Sequence, residues 1–410
     1  MFMKSLVASL ALVVCCCPAG IAQSNVWVVD DDPGAGVHFS EIQPAVDAAQ
    51  AGDLVLIRDG DYSLFSVVGK GLSIVADEGA FVRCSGPANE ILTVQQIPAG
   101  ERLSLRGIQS GSLLANGLAI LDAPGTVWLE DLEIVGATVV PVAANSSYLG
   151  VFDSTTVVLS GVRVNAPLST TVPARALLCD SSSLYAFDCE FLGGKSQASI
   201  GGEGVRAQGP GAFLALRSSE IAGGDGFGSS LPVADGGNGL VLADSAQVRA
   251  IATTTQGGSG GTHFTGQVGV AGEAVSISGG ANLIEATSQS PRLEGPRVVR
   301  DLKGTVIDLT VEAETGAAVF LAASTQIQAQ FSDPLFEAIA IPGSTPLIFV
   351  GTAPVSSIPG VGPVTLSVSV GALPPGVPAL EFVLQAAVFG PSGALDVSNP
   401  KMISLVDDIF

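Results

Sequence analysis

The stretch LAILDAPGTVWLEDLEIVGA, residues 118–137, carries a pattern that recurs along the middle of the chain. An alternating strand is followed by a tight turn, two more short alternating strands and a glycine. Four later windows share this order, and successive windows begin 31, 27, 29 and 35 residues apart. They span residues 149–167, 176–194, 205–224 and 240–258, and fainter copies begin at Leu72 and Ile91.

A repeat of this length, with strands and turns inside each unit, indicates a solenoid. Leucine-rich repeats need Leu and Asn at fixed positions and propeller blades need four longer strands, so three short strands per unit favour a parallel β-helix of about nine or ten coils. Each coil adds one strand to each face, about 4.8 Å above the last. The window starts should then form one column: Leu118, Leu149, Ala176, Val205 and Leu240. The predicted apolar interior includes Leu118, Ile120, Val151, Leu177 and Val241.

Composition supports an all-β fold and limits the functions available. The chain of 410 residues contains 51 glycines, only 5% aromatic residues and only 13% charged residues, which is too few helix-forming polar residues for long amphipathic helices. The formal net charge is −21, from 17 basic and 38 acidic residues. A chain this acidic repels phosphate backbones, so nucleic-acid binding is excluded as a function class.

The N-terminus predicts export. Residues 1–22 combine Lys4, an apolar run from Leu6 to Cys17 and a small residue at Ala22, which is the pattern of a secretory signal peptide cut after Ala22. The run is too short for a transmembrane helix, and no later segment approaches the roughly 20 apolar residues needed. We expect a protein located outside the cell, on its surface or in the periplasm. Lipid attachment at Cys15–Cys17 is the less favoured alternative.

The segment HFSEIQPAVDAAQAGDLVLIRDGDY, residues 38–62, predicts one short helix before the first coil. Ser40 and Gln43 have the spacing of a capping box, and Gly52 would end the helix. Its apolar face would cover the open end of the first coil, because exposed strand edges invite aggregation. That face consists of Ile42, Ala45, Val46 and Ala49.

Residues 27–62, WVVDDDPGAGVHFSEIQPAVDAAQAGDLVLIRDGDY, resemble the N-terminal cap and first coil of pectate-lyase-like right-handed parallel β-helix proteins. The resemblance extends over roughly residues 26–290 and implies the fold rather than one activity, because the superfamily holds lyases, hydrolases, esterases, epimerases and non-enzymes. The paired-Asp, Gly-His-Gly and Arg-x-Lys motifs of its pectin hydrolases are absent, and the Asp/Asp/Arg set of pectin methylesterases is not evident. No catalytic residue can therefore be transferred from the family.

The sequence pattern changes after residues 291–304, which we predict to be a linker. Residues 305–410 contain longer alternating runs separated by Pro-rich turns, without a repeat, which is typical of a small antiparallel β-sandwich. The predicted organisation is a signal peptide over residues 1–22, a capped β-helix over residues 23–290, the linker, and the C-terminal sandwich.

Five charged residues are candidates for catalysis: Glu133, Arg163, Asp188, Glu190 and Glu220. Aligning the repeats places Gln109, Glu133, Arg163, Glu190 and Glu220 at equivalent outward positions, and Asp188 two residues before Glu190 should share their face. A polysaccharide lyase needs carboxylates and an Arg or Lys base, and a glycoside hydrolase needs two flanking carboxyl groups. The favoured interpretation is a surface ladder of ions that limits like-charge repulsion.

Two aromatic residues are candidates for sugar binding. Trp128 and Tyr185 fall one residue apart in the aligned repeats, and a non-catalytic polysaccharide-binding protein would use such side chains for stacking.

Ca²⁺ is the one cofactor that the residues suggest. Asp122, Asp153, Asp180 and Asp244 recur at the first turn of the repeats, and Asp30–Asp32 form a further acidic cluster. Ca²⁺ prefers six to eight oxygen ligands, but a recurring Asp also closes a turn by accepting a backbone N–H. The turn interpretation is favoured in both places, and no metal ligands are assigned.

The remaining reactive residues are few. Removing the signal peptide leaves Cys84, Cys179 and Cys189, which allow either one disulfide with a free thiol or three buried thiols. The only histidines are His38 and His263, so the sequence offers almost no histidine for a zinc site or for a Ser/His/Asp triad.

Two functional hypotheses follow. The preferred one is an exported, non-catalytic protein that binds a polysaccharide or another cell-envelope component along its side. The alternative is a polysaccharide lyase or glycoside hydrolase. Sequence does not indicate the oligomeric state.

Overall fold

The computed structural model describes most of the two predicted domains. It describes residues 10–12, 25–86, 90–111, 117–135, 147–168, 174–196, 200–228, 233–286, 291–301, 306–314, 316–324, 348–352, 361–370, 373, 376–391 and 395–410. The predicted signal peptide lies outside these residues except for Leu10–Leu12. The chain divides into two compact units, Trp27–Thr287 and Ser288–Phe410, and the second unit also includes Met1–Val26.

The first unit is a right-handed parallel β-helix, which confirms the fold class predicted from the repeat. Strands from successive coils pair in parallel within three sheets. Sheet 1 has ten strands: Val26–Val29, Leu54–Ile57, Ser73–Ala76, Arg102–Arg106, Thr126–Glu130, Thr156–Ser160, Ser183–Phe187, Phe213–Arg217, Gln247–Ile251 and Asn282–Ala286.

Sheets 2 and 3 have eight strands each. Sheet 2 consists of Gly60–Ser63, Val82–Ser85, Ile108–Gly111, Glu133–Val135, Arg163–Asn165, Glu190–Leu192, Glu220–Ala222 and Thr254–Gln256. Sheet 3 consists of Ser66–Val68, Leu92–Gln95, Leu118–Leu121, Ser147–Phe152, Arg175–Asp180, Val205–Gln208, Leu240–Leu242 and Val275–Ile277. The described residues therefore form eight complete three-strand coils, fewer than the nine or ten expected.

Alternation along each strand builds the core, and equivalent residues stack in columns. One column of sheet 3 consists of Leu118, Leu149, Leu177, Val205 and Leu240, all with exposed fractions of 3% or less. The predicted column was wrong at Ala176, because Leu177 pairs with Leu149. The turn after Asp180 is one residue shorter than the equivalent turn after Phe152, so the two repeats shift by one position. The predicted inward position of Val241 was also wrong, since Val241 pairs with Arg206 outside the core.

The turn that leaves sheet 3 places one residue per coil in the left-handed region. Gly69, Gly209 and Gly279 hold this position in three coils, and the non-glycine residues there have φ angles from 46° to 56°, where Asp is more readily tolerated than most side chains. The non-glycine residues are Gln96, Asp122, Asp153, Ser181 and Asp244. Asp122, Asp153 and Asp244 therefore lie in this turn, whereas Asp180 lies one residue earlier and Ser181 occupies its expected position.

The predicted N-terminal helix is present as α1, Ile42–Ala48. Ile42, Ala45 and Val46 are at most 1% exposed and belong to the core of the β-helix, so α1 closes the end of the first coil as expected. The predicted capping box was wrong: the N-cap is Glu41 and makes no side-chain cap bond. Gln43 instead accepts from the backbone N–H of Ser66 at 2.7 Å, because the adjacent strand supplies a nearer partner.

Three glycine-rich connections, residues 193–204, 223–239 and 257–274, link sheet 2 to sheet 3 in the last three coils. We call them the glycine arms. Backbone bonds form both within an arm and between neighbouring arms: Gly202 N donates to Gly194 O of the same arm at 2.7 Å, and Gly224 N of the next arm donates to Gly202 O at 2.8 Å. This series continues through Gly237, Gly258 and Gly272. The backbone N–H groups that donate hydrogen bonds also recur at every third residue along an arm, which matches the three-residue turn of a polyproline-II-like chain.

The second unit contains two mainly antiparallel sheets that share one hydrophobic core. The four-stranded sheet consists of Leu10–Leu12, Val361–Val370, Val306–Glu314 and Leu293–Glu294. The other sheet consists of Val298–Asp301, Lys401–Asp407, Ala379–Phe389, Ala318–Ser324 and Ile348–Thr352, with Leu395–Val397 paired to Ala379–Phe389. The β-sandwich expected at the C-terminus is therefore present.

Cys84, Cys179 and Cys189 are free and buried, so the three-thiol alternative holds. Burial raises the pKa of each thiol to about 12, because a buried thiolate loses its hydration.

Replacing Gly224 with Ala should weaken the arm bundle. An added Cβ would lie 2.0 Å from the carbonyl oxygen of Gly194, and backbone atoms cannot yield as a flexible side chain can. We expect a loss of about 1–3 kcal/mol, measured as the urea midpoint of the mature chain. Gly34→Ala is the matched control, since its nearest neighbour to a new Cβ is Val37 at 3.9 Å. Equal midpoints for the two variants would contradict close backbone packing in the arms.

The three thiols should be unreactive in the folded protein. With pKa values of about 12, roughly one thiol in ten thousand is ionised at pH 8, and the thiolate is the reactive form. A chain beginning at Gln23 should therefore show almost no colour with a thiol reagent at pH 8, and three equivalents after denaturation. Reaction of a thiol before unfolding would show that its coil opens locally.

Candidate functional site

The outer face of sheet 2 carries one polar or charged residue from every coil in a single row. The strands pair residue by residue, so each member lies about 4.8 Å from the next. We call this row the charge ladder. It consists of Asp61, Arg83, Gln109, Glu133, Arg163, Glu190, Glu220 and Thr254.

The predicted register of the ladder is confirmed from Gln109 to Glu220. The alternate residues of these strands point inward, and Ile134, Val164, Phe191 and Ile221 are at most 1% exposed. Because successive side chains of a strand point to opposite faces, burial of these residues directs the ladder residues to the outside. Asp61 and Arg83 extend the row two coils beyond the predicted members, and sequence alignment missed them because the first repeats are degenerate.

Ion pairs link neighbouring rungs. Arg83 donates from Nε to Asp61 Oδ1 at 2.5 Å and from its terminal nitrogen to Oδ2 at 2.7 Å. The hydrogen bond from Arg83 lowers the pKa of Asp61. Arg163 Nε lies 3.8 Å from Glu190 Oε2, and the two side chains are 67% and 39% exposed. Charges this exposed are solvated, so they shape the potential of the face more than they stabilise the fold.

Asp188 does not join this ladder. It lies at the corner between sheet 1 and sheet 2 with φ 51°, in the same turn position as Asp131, Gly161 and Ser218. The predicted shared face was wrong, because a left-handed residue turns the chain and breaks the two-residue alternation that places Glu190. Of the five candidate residues, the structure brings together Glu133, Arg163, Glu190 and Glu220.

Trp128 and Tyr185 lie in one row of sheet 1, separated by Val158 of the intervening coil. Their exposed fractions are 0% and 9%, and Trp128 Nε1 donates to Glu130 Oε2 at 3.0 Å. In this structure neither ring presents an open face to a sugar. A stacking role for these residues stays a prediction.

A second polar cluster, which sequence analysis missed, lies where the chain enters sheet 3. Glu203 Oε2 accepts from Arg175 Nε at 2.6 Å and from Arg206 Nε at 2.7 Å, and a second bond joins Arg206 to Glu203 Oε1. The side chains are only 18–23% exposed. Burial alone would raise the pKa of Glu203, but hydrogen bonds and positive charge from the two arginines outweigh it and lower that pKa. In the sequence, the three-residue spacing of Glu203 and Arg206 could have indicated this ion pair.

The acidic N-terminal turn holds local contacts. Asp30 pairs with Arg58 at 3.2 Å, and Asp31 accepts from the backbone N–H of Asp61 at 3.1 Å. Over the part of the chain that the structure describes, no group of three or more His, Cys, Asp or Glu side chains is arranged to hold a metal ion. Ca²⁺ binding stays a prediction without assigned ligands.

One open cavity of about 300 Å³ lies in the second unit. It is lined by Asn25, Gly376, Val377, Pro378, Asp407, Ile409 and Phe410. None of its lining residues belongs to the charge ladder.

Comparison with known proteins adds little to the chemistry. No protein-family model and no curated protein sequence matches the chain. Solved structures with similarity include tailspike protein 2 of bacteriophage CBA120, as its enzymatically active domain (9% identity, TM-score 0.25, 95% of this chain and 72% of that chain). The full-length tailspike protein 2 from Escherichia coli O157:H7 bacteriophage CAB120 shows 12% identity and a TM-score of 0.29, over 95% of this chain and 64% of that chain. Similarity of this degree assigns no activity.

The Arg175–Glu203–Arg206 cluster should make stability depend on pH. The pKa of Glu203 is lowered on folding, so its contribution is present above the unfolded pKa of about 4.3 and is lost as pH falls through the folded value. We expect Glu203→Gln to lose about 2 kcal/mol of unfolding free energy at neutral pH, and progressively less as the pH falls below the unfolded pKa, in urea titrations. Glu273→Gln, at an exposed position, is the control. A deficit independent of pH would contradict this.

Proposed function

We propose that this chain is an exported β-helix protein that binds a polysaccharide along the outer face of sheet 2 without cleaving it. The observation that carries the proposal is the charge ladder, a straight row of eight solvent-facing positions at one-coil intervals. A long polymer of repeating units can meet such a row at several equivalent places. Repeated weak contacts on one rigid surface then add to a useful affinity.

The composition of the ladder supports recognition by hydrogen bonding. Gln109, Glu133, Arg163 and Glu190 offer both donors and acceptors to sugar hydroxyls. The net charge of −21 disfavours a strongly acidic polymer, so neutral glycans are the preferred ligands. Export rests on the N-terminal pattern of residues 1–22. Among the described helices, none has the length and apolar character needed to cross a membrane.

The second candidate function is glycan cleavage, favoured by the neighbouring carboxylates Glu190 and Glu220. They pair directly across adjacent strands, where the spacing of about 4.8 Å approaches the separation of carboxyl groups in retaining glycosidases. Arg163 on the other side of Glu190 would supply the basic group that a lyase needs.

A glycan panel tests the proposal. A chain beginning at Gln23 should bind one or more neutral polysaccharides, and the triple variant Glu133→Ala, Arg163→Ala, Glu220→Ala should bind about tenfold more weakly, a change of roughly 1.4 kcal/mol. The single variant Glu273→Ala, away from sheet 2, should bind as wild type. Isothermal titration gives the affinities.

The same samples separate binding from cleavage. Unsaturated products or new reducing ends, with or without Ca²⁺, would replace the non-catalytic proposal with the lyase or hydrolase. If the triple variant binds with unchanged affinity, the ligand binds somewhere other than sheet 2.

A further inference from the structure

The last six rungs of the charge ladder keep their hydrogen-bonding groups available to a ligand. At the first two rungs, Asp61 and Arg83 satisfy one another through two hydrogen bonds. Across the next six, in the part of the chain that the structure describes, one ion pair joins ladder side chains: Arg163 Nε and Glu190 Oε2 lie 3.8 Å apart, beyond hydrogen-bonding distance. The six available rungs are Gln109, Glu133, Arg163, Glu190, Glu220 and Thr254.

A second outward row runs beside these rungs, because the residue two positions further along each strand points to the same side. This row consists of Gly111, Val135, Asn165, Leu192, Ala222 and Gln256. Four of the six are apolar or lack a side chain, and Val135 is 36% exposed. The face therefore sets a mostly apolar strip beside the polar ladder, about 7 Å away along the strands.

Hydrogen-bonding character alternates over four of the rungs. Gln109 and Arg163 carry N–H donors, whereas the carboxylates of Glu133 and Glu190, each one coil further along, only accept. Like groups therefore recur every two coils, about 9.6 Å apart. A polymer that matches this row has units as long as one coil, with alternate units reversed.

We propose that the ladder recognises a neutral β-1,4-linked glycan of the gluco or xylo configuration, bound with its axis along the stack of coils. The inference rests on the proposed glycan-binding function of sheet 2. Equatorial bonds at both ends of each sugar extend such a chain into a flat two-fold ribbon, in which each sugar advances by close to the coil spacing of about 4.8 Å. Successive sugars are turned over, so opposite rims of the ribbon meet successive rungs.

The two rims of such a sugar match the two kinds of rung. One rim carries two neighbouring hydroxyl groups, and a carboxylate such as Glu133 or Glu190 accepts from both. The other rim carries the ring oxygen, which accepts from a donor such as Arg163. The C–H face of the ring lies on the second row, where contact with Val135 and Leu192 removes apolar surface from water.

Isothermal titration of the chain beginning at Gln23 with oligosaccharides of increasing length tests the inference. Affinity for β-1,4-linked glucose or xylose oligomers should rise with each added sugar and level off at about six sugars, one for each available rung. The α-1,4-linked glucose hexamer coils instead of extending, so it should bind at least about tenfold more weakly than its β-linked counterpart.

Two glutamates on the same face provide a matched pair of variants. Glu190→Gln removes a carboxylate from a rung that meets a hydroxyl pair, and should weaken binding of the β-linked hexamer about fivefold, since charge-assisted bonds are the stronger ones. Glu220→Gln makes the same change at a rung where the alternation places the ring oxygen. This variant should bind the hexamer at least as tightly as wild type.

Equal affinity for the α- and β-linked hexamers would overturn this inference and leave glycan binding by sheet 2 in place. The same holds if Glu190→Gln and Glu220→Gln weaken binding equally. If the wild-type chain binds no glycan of either linkage or of the wider panel, both this inference and the proposed function are overturned.

Discussion

Backbone hydrogen bonds between equivalent residues of successive coils are the interaction on which this structure depends. They hold each coil about 4.8 Å above the previous one and fix which residue lies over which. Inward apolar columns and the outward charge ladder both follow from this register, because a strand shifted by one residue would exchange its two faces. Differences in repeat length are absorbed in the turns and arms, so the strands keep their pairing.

The β-helix uses two kinds of packing. In the body of each coil, Leu, Val and Ile side chains fill the interior, and apolar burial stabilises the stack. In the glycine arms there is little interior to fill, and a Cβ at Gly202 would lie 1.9 Å from the carbonyl oxygen of Ala174. Backbone bonds between closely approaching arms replace side-chain packing there.

The charged residues of the β-helix lie in two settings that differ in exposure. The exposed pair Arg163–Glu190 is solvated, whereas Glu203 is held between two arginines in a half-buried position. The first pair lies in solvent, and the second cluster joins one coil to the next. A glycan that runs along sheet 2 would replace water on the exposed residues and leave the half-buried cluster intact.

The amino-acid sequence by itself determined the solenoid, the closing helix and the register from Gln109 to Glu220, because a period-two pattern repeated at fixed intervals specifies faces and stacking. Tertiary structure decided what depends on turn length and on available partners. A turn shorter by one residue put Leu177 rather than Ala176 in the column that contains Leu149, and a left-handed corner removed Asp188 from the ladder. Gln43 does not make its expected capping bond and instead accepts from the backbone N–H of Ser66, since a hydrogen-bonding group takes the nearest partner that the folded chain provides.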